Sequence, residues 1–288
     1  MANSKKQHRT VARGALRRFL HNRMAVVGLV IFLCIVALTV YAVFAVDFES
    51  TTAIDPPNRL QPPSAAHWFG TDEMGRDIFA RILYGARYTL SISFAATLVA
   101  VIIGGIFGAA AGYVGGQVDT LIMSVMDVFM CLPSMLLAIA IVVALGNSVG
   151  NLIWAIGVSN IPKFARIVRS SVLSVRNTEY VQAAQVIGTP VIRIIFGHIL
   201  RNCLGPVIVQ ATLIFAMAIL SVSSLSFLGL GISSPTPEWG NMLSSARANM
   251  RNHAYMVIAP GMAILLSIFS LNLLGDGLRD AIDPKMEL

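Results

Sequence analysis

Residues 88–118 read YTLSISFAATLVAVIIGGIFGAAAGYVGGQV, a stretch without one charged side chain. A membrane-spanning helix needs about 20 such residues, because each adds 1.5 Å across a hydrocarbon core of roughly 30 Å. This stretch is long enough to cross. Uncharged runs also cover 24–46, 128–162, 202–237 and 252–275, and of the 288 residues 56% are hydrophobic against 12% charged. A soluble domain carries roughly 25% charged residues and breaks its apolar segments with polar faces. The pattern specifies an all-α integral membrane protein.

The run 128–162 would extend about 50 Å as one helix and must turn, and the polar segment GNSVGN at 146–151 supplies the place. Six transmembrane helices follow, near 24–46, 88–113, 119–145, 151–170, 204–229 and 254–275. They divide the chain into an N-terminal segment 1–23, a first transmembrane helix 24–46 and an external loop 47–87 with a short helix. A five-helix core 88–276 comes next, holding a cytoplasmic loop 171–203 and an external loop 230–253, and a tail 277–288 closes the chain. Fifteen of the twenty-one Lys and Arg fall on the side of the N-terminus, so the positive-inside rule places both termini in the cytoplasm. The first apolar run is too long for a signal-peptide h-region of about 7 to 15 residues.

Several function classes drop out. The net charge of +7 sits at the ends of apolar runs and forms no groove for nucleic acid. Cys34, Cys131 and Cys203 make no C-x-x-C pair, and His67 and His253 are isolated, so no metal site or disulfide framework is expected. Lys5, Lys6, Lys163 and Lys285 lie outside any G-x-x-x-x-G-K-[ST] context, so the chain cannot bind ATP as a motor subunit does. There is no G-x-S-x-G elbow, and none of His8, His21, His67, His198 and His253 lies in a clear span; no catalytic residue is assigned.

Local patterns mark candidate sites. Gly104, Gly108, Gly112 and Gly116 recur every four residues, a small-residue stripe that lets helices approach closely. Asp127 lies roughly 12 Å beyond Asp119 along the third span, either as a working intramembrane charge or as a carboxylate hydrogen-bonded to a neighbouring helix. In the segment 178–190, TEYVQAAQVIGTP, Thr178 is placed to cap a helix with Glu179 in its first turn. Gly188 stops that helix, and Thr189-Pro190 starts another. Ala183 and Ala184 give it a low face that fits a partner's groove. Outside, Thr71 with Asp72 and Glu73 opens a short helix whose Met74, Ile78 and Ile82 share a face. Thr236 and Pro237 start a second one, with Glu238, Trp239, Met242, Leu243, Ala246 and Met250 at helical spacing, lying on the external membrane surface.

The segment QAA at 182–184, with Gly188 and Ile199-Leu200, resembles the EAA loop of ABC importer permeases, with Gln182 where Glu is usual and Arg201 where Pro is common. HWFGTDEMGRD at 67–77, LYGAR at 83–87, SLSFLGLG at 224–231, PTPEWG at 235–240 and NLLGDGLRDAIDP at 272–284 resemble the dipeptide/oligopeptide/nickel permeases, of the DppC/OppC-like type. The resemblance implies a type I ABC importer fold. It makes Glu179, Tyr180, Gln182, Ala183, Ala184 and Gly188 the coupling surface for the ATPase, and Asp72, Arg76, Asp77, Glu238 and Trp239 the external gate or binding-protein contact. It implies as partners a second homologous permease, two ATP-binding subunits that carry the ATP and Mg, and an extracytoplasmic substrate-binding protein, in a bacterial or archaeal cytoplasmic membrane. It leaves open dipeptides, oligopeptides, glutathione-like peptides, nickel and metal chelates as cargo. A secondary transporter is the rival reading, weakened by the lack of several midplane ionisable residues.

Overall fold

The computed structural model describes residue 14 and residues 17–282; Ser4, Lys5, Lys6 and His8, with most of the N-terminal segment 1–23, and the tail from Asp283 lie outside the described residues. The long helices are α1 (Arg23–Ala45), α3 (Ile78–Val114), α6 (Val149–Arg176), α9 (Leu200–Phe227) and α11 (Tyr255–Ile282). Between them lie α2 (Phe48–Thr52), α4 (Gly116–Met130), α5 (Ser134–Leu145), α7 (Glu179–Val186), α8 (Val191–Ile194) and α10 (Trp239–Ala246), and a π-helical turn at Ile195–Ile199 leads from α8 into α9. The described residues contain no strand, only an isolated bridge between Thr71 and Asp77.

Packing follows residue size. α3 and α6 lie against each other along most of their length. A Cβ built on Gly104, Gly108 or Gly112 would come within 3.0 Å of the carbonyl oxygens of Ile161, Ala165 and Arg169 respectively, so only glycine permits the contact. Gly116 has nothing within 4 Å and a φ of +56°; it opens α4 just past the turn at Gly115, so the stripe on α3 is three glycines long. α1 packs on α11, with Asn22 accepting from the Met24 and Ala25 amides at its start and donating to Asp280.

Four helices, α1, α3, α9 and α11, are each long and apolar enough to cross a membrane, and a fifth crossing arises if α4 and α5 count together. Six is therefore not reached by apolarity alone. α6 has 28 residues, but Lys163, Arg166, Arg169 and Arg176 occupy its second half. The expected span 119–145 is two helices bent by 84° at Cys131-Leu132-Pro133. Pro133 lacks an N–H and its ring disfavours a helical Leu132. The second span begins ten residues early, at Ile78, because the Asp77 carboxylate accepts from the Ala80 amide and caps the helix there. The expected helix at Thr71 does not form. The Asp72 carboxylate accepts from the Met74 and Arg76 amides and curls the chain into a loop. The last helix runs on to Ile282, well into the expected tail, and its Gly277 sits against Ala25 of α1.

Candidate functional site

Three groups of candidate residues fall at separate places. At the end of the bundle where α6 leads into α7, the backbone sets the shape. Val181 and Ala184 of α7 turn inward onto Val172, Ile194 and Cys203, while Glu179, Gln182 and Ala183 face out. The two alanines thus divide: Ala183 is on the open face and Ala184 is core. Thr178 stands at the N-cap position, yet its hydroxyl donates back to the Val175 carbonyl and caps nothing. The stop is well made. Gly188, at φ +75°, donates to the Gln185 carbonyl, and Thr189 donates to the Ala184 carbonyl, the paired bonds of a Schellman motif. Val186 and Ile187 beside it are 87% and 79% exposed, an apolar surface left open next to a rigid turn.

The opposite end is closed. Asp72, Arg76 and Arg81 are buried together, with Arg76 Nε 2.7 Å and Arg81 Nε 3.6 Å from Asp72 Oδ2. Arg81 also donates to the Thr51 carbonyl at 2.5 Å, which ties α2 to α3. Asp77 holds His67 Nδ1 at 2.8 Å in addition to capping α3. Glu238 is the cap of α10: its carboxylate accepts from the Gly240 and Asn241 amides at 3.0 and 2.9 Å, and from the Thr89 hydroxyl of α3 at 2.9 Å. Burial pushes the Glu238 carboxyl above its ordinary range, against those hydrogen bonds, which favour the charged form. Trp239 is buried, and its Nε1 donates to the Ile82 carbonyl at 3.0 Å. So α10 does not lie on the membrane surface. It is inserted between α9 and α11, where Gly240 meets Ser223 too closely for any side chain. Thr236 and Pro237 precede the cap and do not form it.

The third group joins α4 to α6. Asp127 pairs with Arg166, and Asp119 forms a two-bond fork with Arg169 at 2.5 and 2.6 Å. The sequence shows Asp127 but not its partner, because Arg166 lies 39 residues away. Among the described residues no set of three His, Cys, Asp or Glu is grouped as metal ligands would be.

These features, a capped outward α7, a broken α4–α5 pair and an inserted α10, occur in a chain whose residues 100–288 match the model of the binding-protein-dependent transport system inner membrane component family. The chain belongs to that family. Residues 10–63 of the permease match the N-terminal membrane domain of oligopeptide transport permease C. It is 48% identical to the dipeptide transport system permease DppC of Alkalihalophilus pseudofirmus, over 96% of this chain and 90% of that one. It is 42% identical to the glutathione transport system permease GsiD of Shigella flexneri, over 94% and 89%. An inward-facing structure of the MetNI methionine ABC transporter superposes with a TM-score of 0.59 at 16% identity, over 70% of this chain and 96% of that one, which shows the shared type I importer fold. None of these likenesses favours a secondary transporter.

Sequence reasoning missed the Arg81 partnership, the Thr89–Glu238 bond and the two α4–α6 ion pairs. The signal for the first was in plain view, since an Arg just before an apolar run needs a counter-charge and Asp72, Glu73 and Asp77 all lie within the nine residues before it.

Proposed function

We propose that this permease subunit forms, with a second homologous permease, the translocation pathway of an ATP-driven importer for short peptides or a closely related small solute. The observation that carries this reading is α7: a short helix stopped by a rigid glycine turn, with Ala183, Val186 and Ile187 open at the end of α6. One of two ATP-binding subunits docks there, the other serving the second permease, and the two bind the ATP and Mg, for which this chain offers no motif. Their closure displaces α7, and α6 transmits the movement to α3 through the glycine contact. The closed end, where α10 and the buried Asp72 cluster sit, faces outward and receives the loaded binding protein. Both termini are cytoplasmic, in accord with the excess of Lys and Arg on that side. The peptide cargo rests on the likeness to dipeptide, tripeptide and glutathione permeases.

The test is uptake by the assembled complex in proteoliposomes, with labelled dipeptide, glutathione and nickel offered separately. ATP-dependent accumulation of a peptide is expected. Accumulation of nickel alone overturns the cargo, and uptake that survives removal of the ATP-binding subunits overturns the mechanism. Cysteines placed at Ser4 and Ser234 are labelled from the cytoplasm and from outside respectively; the reverse overturns the orientation.

A further inference from the structure

The Arg166–Asp127 pair stands in an unusual place for two charges. Along α4, Asp127 lies twelve residues, about 18 Å, past the Gly115 turn, and along α6 Arg166 lies about 15 Å before Arg176, which donates to the Gly112 and Tyr113 carbonyls at that same turn. The pair is therefore set back from that turn along both helices, and its side chains are 49% and 56% exposed. Half-exposed charges within a membrane bundle are not held against lipid; they face water or a polar partner. Here they face a cavity of about 370 Å³ lined by Met123, Asp127, Arg166 and Arg169.

The two ion pairs on this face differ. Asp119 and Arg169 satisfy each other through two parallel bonds and are more enclosed. Arg166 and Asp127 share one contact, and the other Arg166 nitrogens and Asp127 Oδ2 have no partner among the described residues. The lining carries two cations, Arg166 and Arg169, and one anion, Asp127; Asp119 neutralises Arg169 from outside the lining, so the charges left to a ligand are one of each sign, on Arg166 and Asp127. A ligand carrying both charges on one small body matches them.

We propose that this pair is a cargo subsite, at which a zwitterionic peptide takes the place of each partner: its terminal carboxylate on Arg166 and its ammonium on Asp127. The exchange keeps every charge paired, so cargo passes without leaving a bare ion in the membrane. Lys163, three residues before Arg166 on α6 and donating from Nζ to Ser134 Oγ, gives the carboxylate a second cation nearby. The proposal rests on the peptide-cargo reading above.

The complete importer, with Cys34, Cys131 and Cys203 replaced by Ala, is reconstituted with either Met123→Cys or Leu98→Cys, the latter in the apolar groove between α1 and α3. A charged methanethiosulfonate reagent should modify position 123 about tenfold faster than position 98, since hydrocarbon excludes it. During ATP turnover free dipeptide should abolish that difference, while the same dipeptide acetylated and amidated should not. Equal rates at the two positions, or equal effects of both peptides, overturn the subsite. A second variant needs no thiol. Asp127→Asn, relative to the unmutated complex, should lower uptake of the free dipeptide more than that of its N-acetylated form. Equal loss for both marks a pair that only holds α4 to α6. Dipeptide uptake by the unmutated complex is measured in the same vesicles: its absence sinks the cargo reading and this proposal together, whereas normal uptake with an unprotected thiol in Met123→Cys sinks this proposal alone.

Discussion

The two ends of the permease are built on opposite terms. At the α10 end, charges and aromatic rings are buried and bonded to each other: Asp72 with Arg76 and Arg81, Glu238 with Thr89, Trp239 with Ile82. At the α7 end the backbone is fixed by its own turn bonds, and the side chains beside it are apolar and open. The first end pairs its buried charges within the single chain, with Arg76 Nη1 left without a hydrogen-bond partner among the described residues; the second has a shape and lacks a cover. Changes at the α10 end should therefore appear as lost stability, and changes to the open side chains at the α7 end as lost communication with unchanged stability.

The largest effect is expected from Asp72→Leu, which leaves Arg76 and Arg81 buried without a counter-charge. Breaking such a pair costs about 3–5 kcal/mol. Thermal unfolding of the purified complex should show a clearly lower midpoint, and an unchanged midpoint would remove the cluster from the account of this end.

Glu238→Ala comes next. It strands the Thr89 hydroxyl and two α10 amides, at about 1–3 kcal/mol each where they stay dry. Its pH dependence has a definite sign. With its pKa raised by burial, folded Glu238 holds a proton that the unfolded chain has already released. Its contribution is fully present below the ordinary carboxylate range and declines as the pH rises through the raised value. Midpoints measured against pH should fall in that window for the native chain and flatten in Glu238→Gln; a native profile that rises there contradicts the assignment.

At the α7 end, Ala183→Glu should leave the unfolding midpoint nearly unchanged, Gly188→Pro should lower it by the loss of its turn, and both should reduce uptake per ATP hydrolysed by about tenfold, the ratio that about 1.4 kcal/mol of lost coupling produces. The ring of proline cannot take the φ of +75° that Gly188 holds. Tight coupling in both variants would show that the open face is not where the ATPase sits.

Thr178→Ala is expected to do least. A lost N-cap costs about 1 kcal/mol, but Thr178 donates to Val175 and caps nothing, so the variant should fall well short of that figure in the same unfolding assay. A full capping loss would mean that the hydroxyl turns toward α7 in the assembled complex.

The helical, membrane-embedded character of the chain was legible in its uncharged runs, and α1 lies one residue from its expected bounds. Helix ends were less so, because they depend on which carboxylate captures which amide. Asp77 and Asp72 stand five residues apart; one starts a helix and the other makes a loop. Proline is equally ambiguous. Pro133 separates two helices at 84°, while Pro162, Pro206 and Pro260 sit inside α6, α9 and α11. Of the candidate residues, Gly188 and the glycine stripe could be read locally, since backbone geometry and helix spacing are local properties. The inward turn of Ala184, the depth of Glu238 and the partner of Asp127 could not. Each depends on a segment tens of residues away.

The charged second half of α6 also bears on how the chain enters the membrane as it is made. On insertion scales each Lys or Arg at a helix centre costs about 2.5 to 3.5 kcal/mol, and α6 alone is not apolar enough to offset Lys163, Arg166 and Arg169. Its place is prepared by earlier helices: α3 offers the glycine groove, and α4 offers Asp119 and Asp127. A nascent α6 should thus stay out of the bilayer when synthesised alone, and enter when α3 and α4 precede it, as glycosylation tags on its flanks can report. The order of the genetic text, acids before bases and groove before ridge, then serves as an assembly schedule.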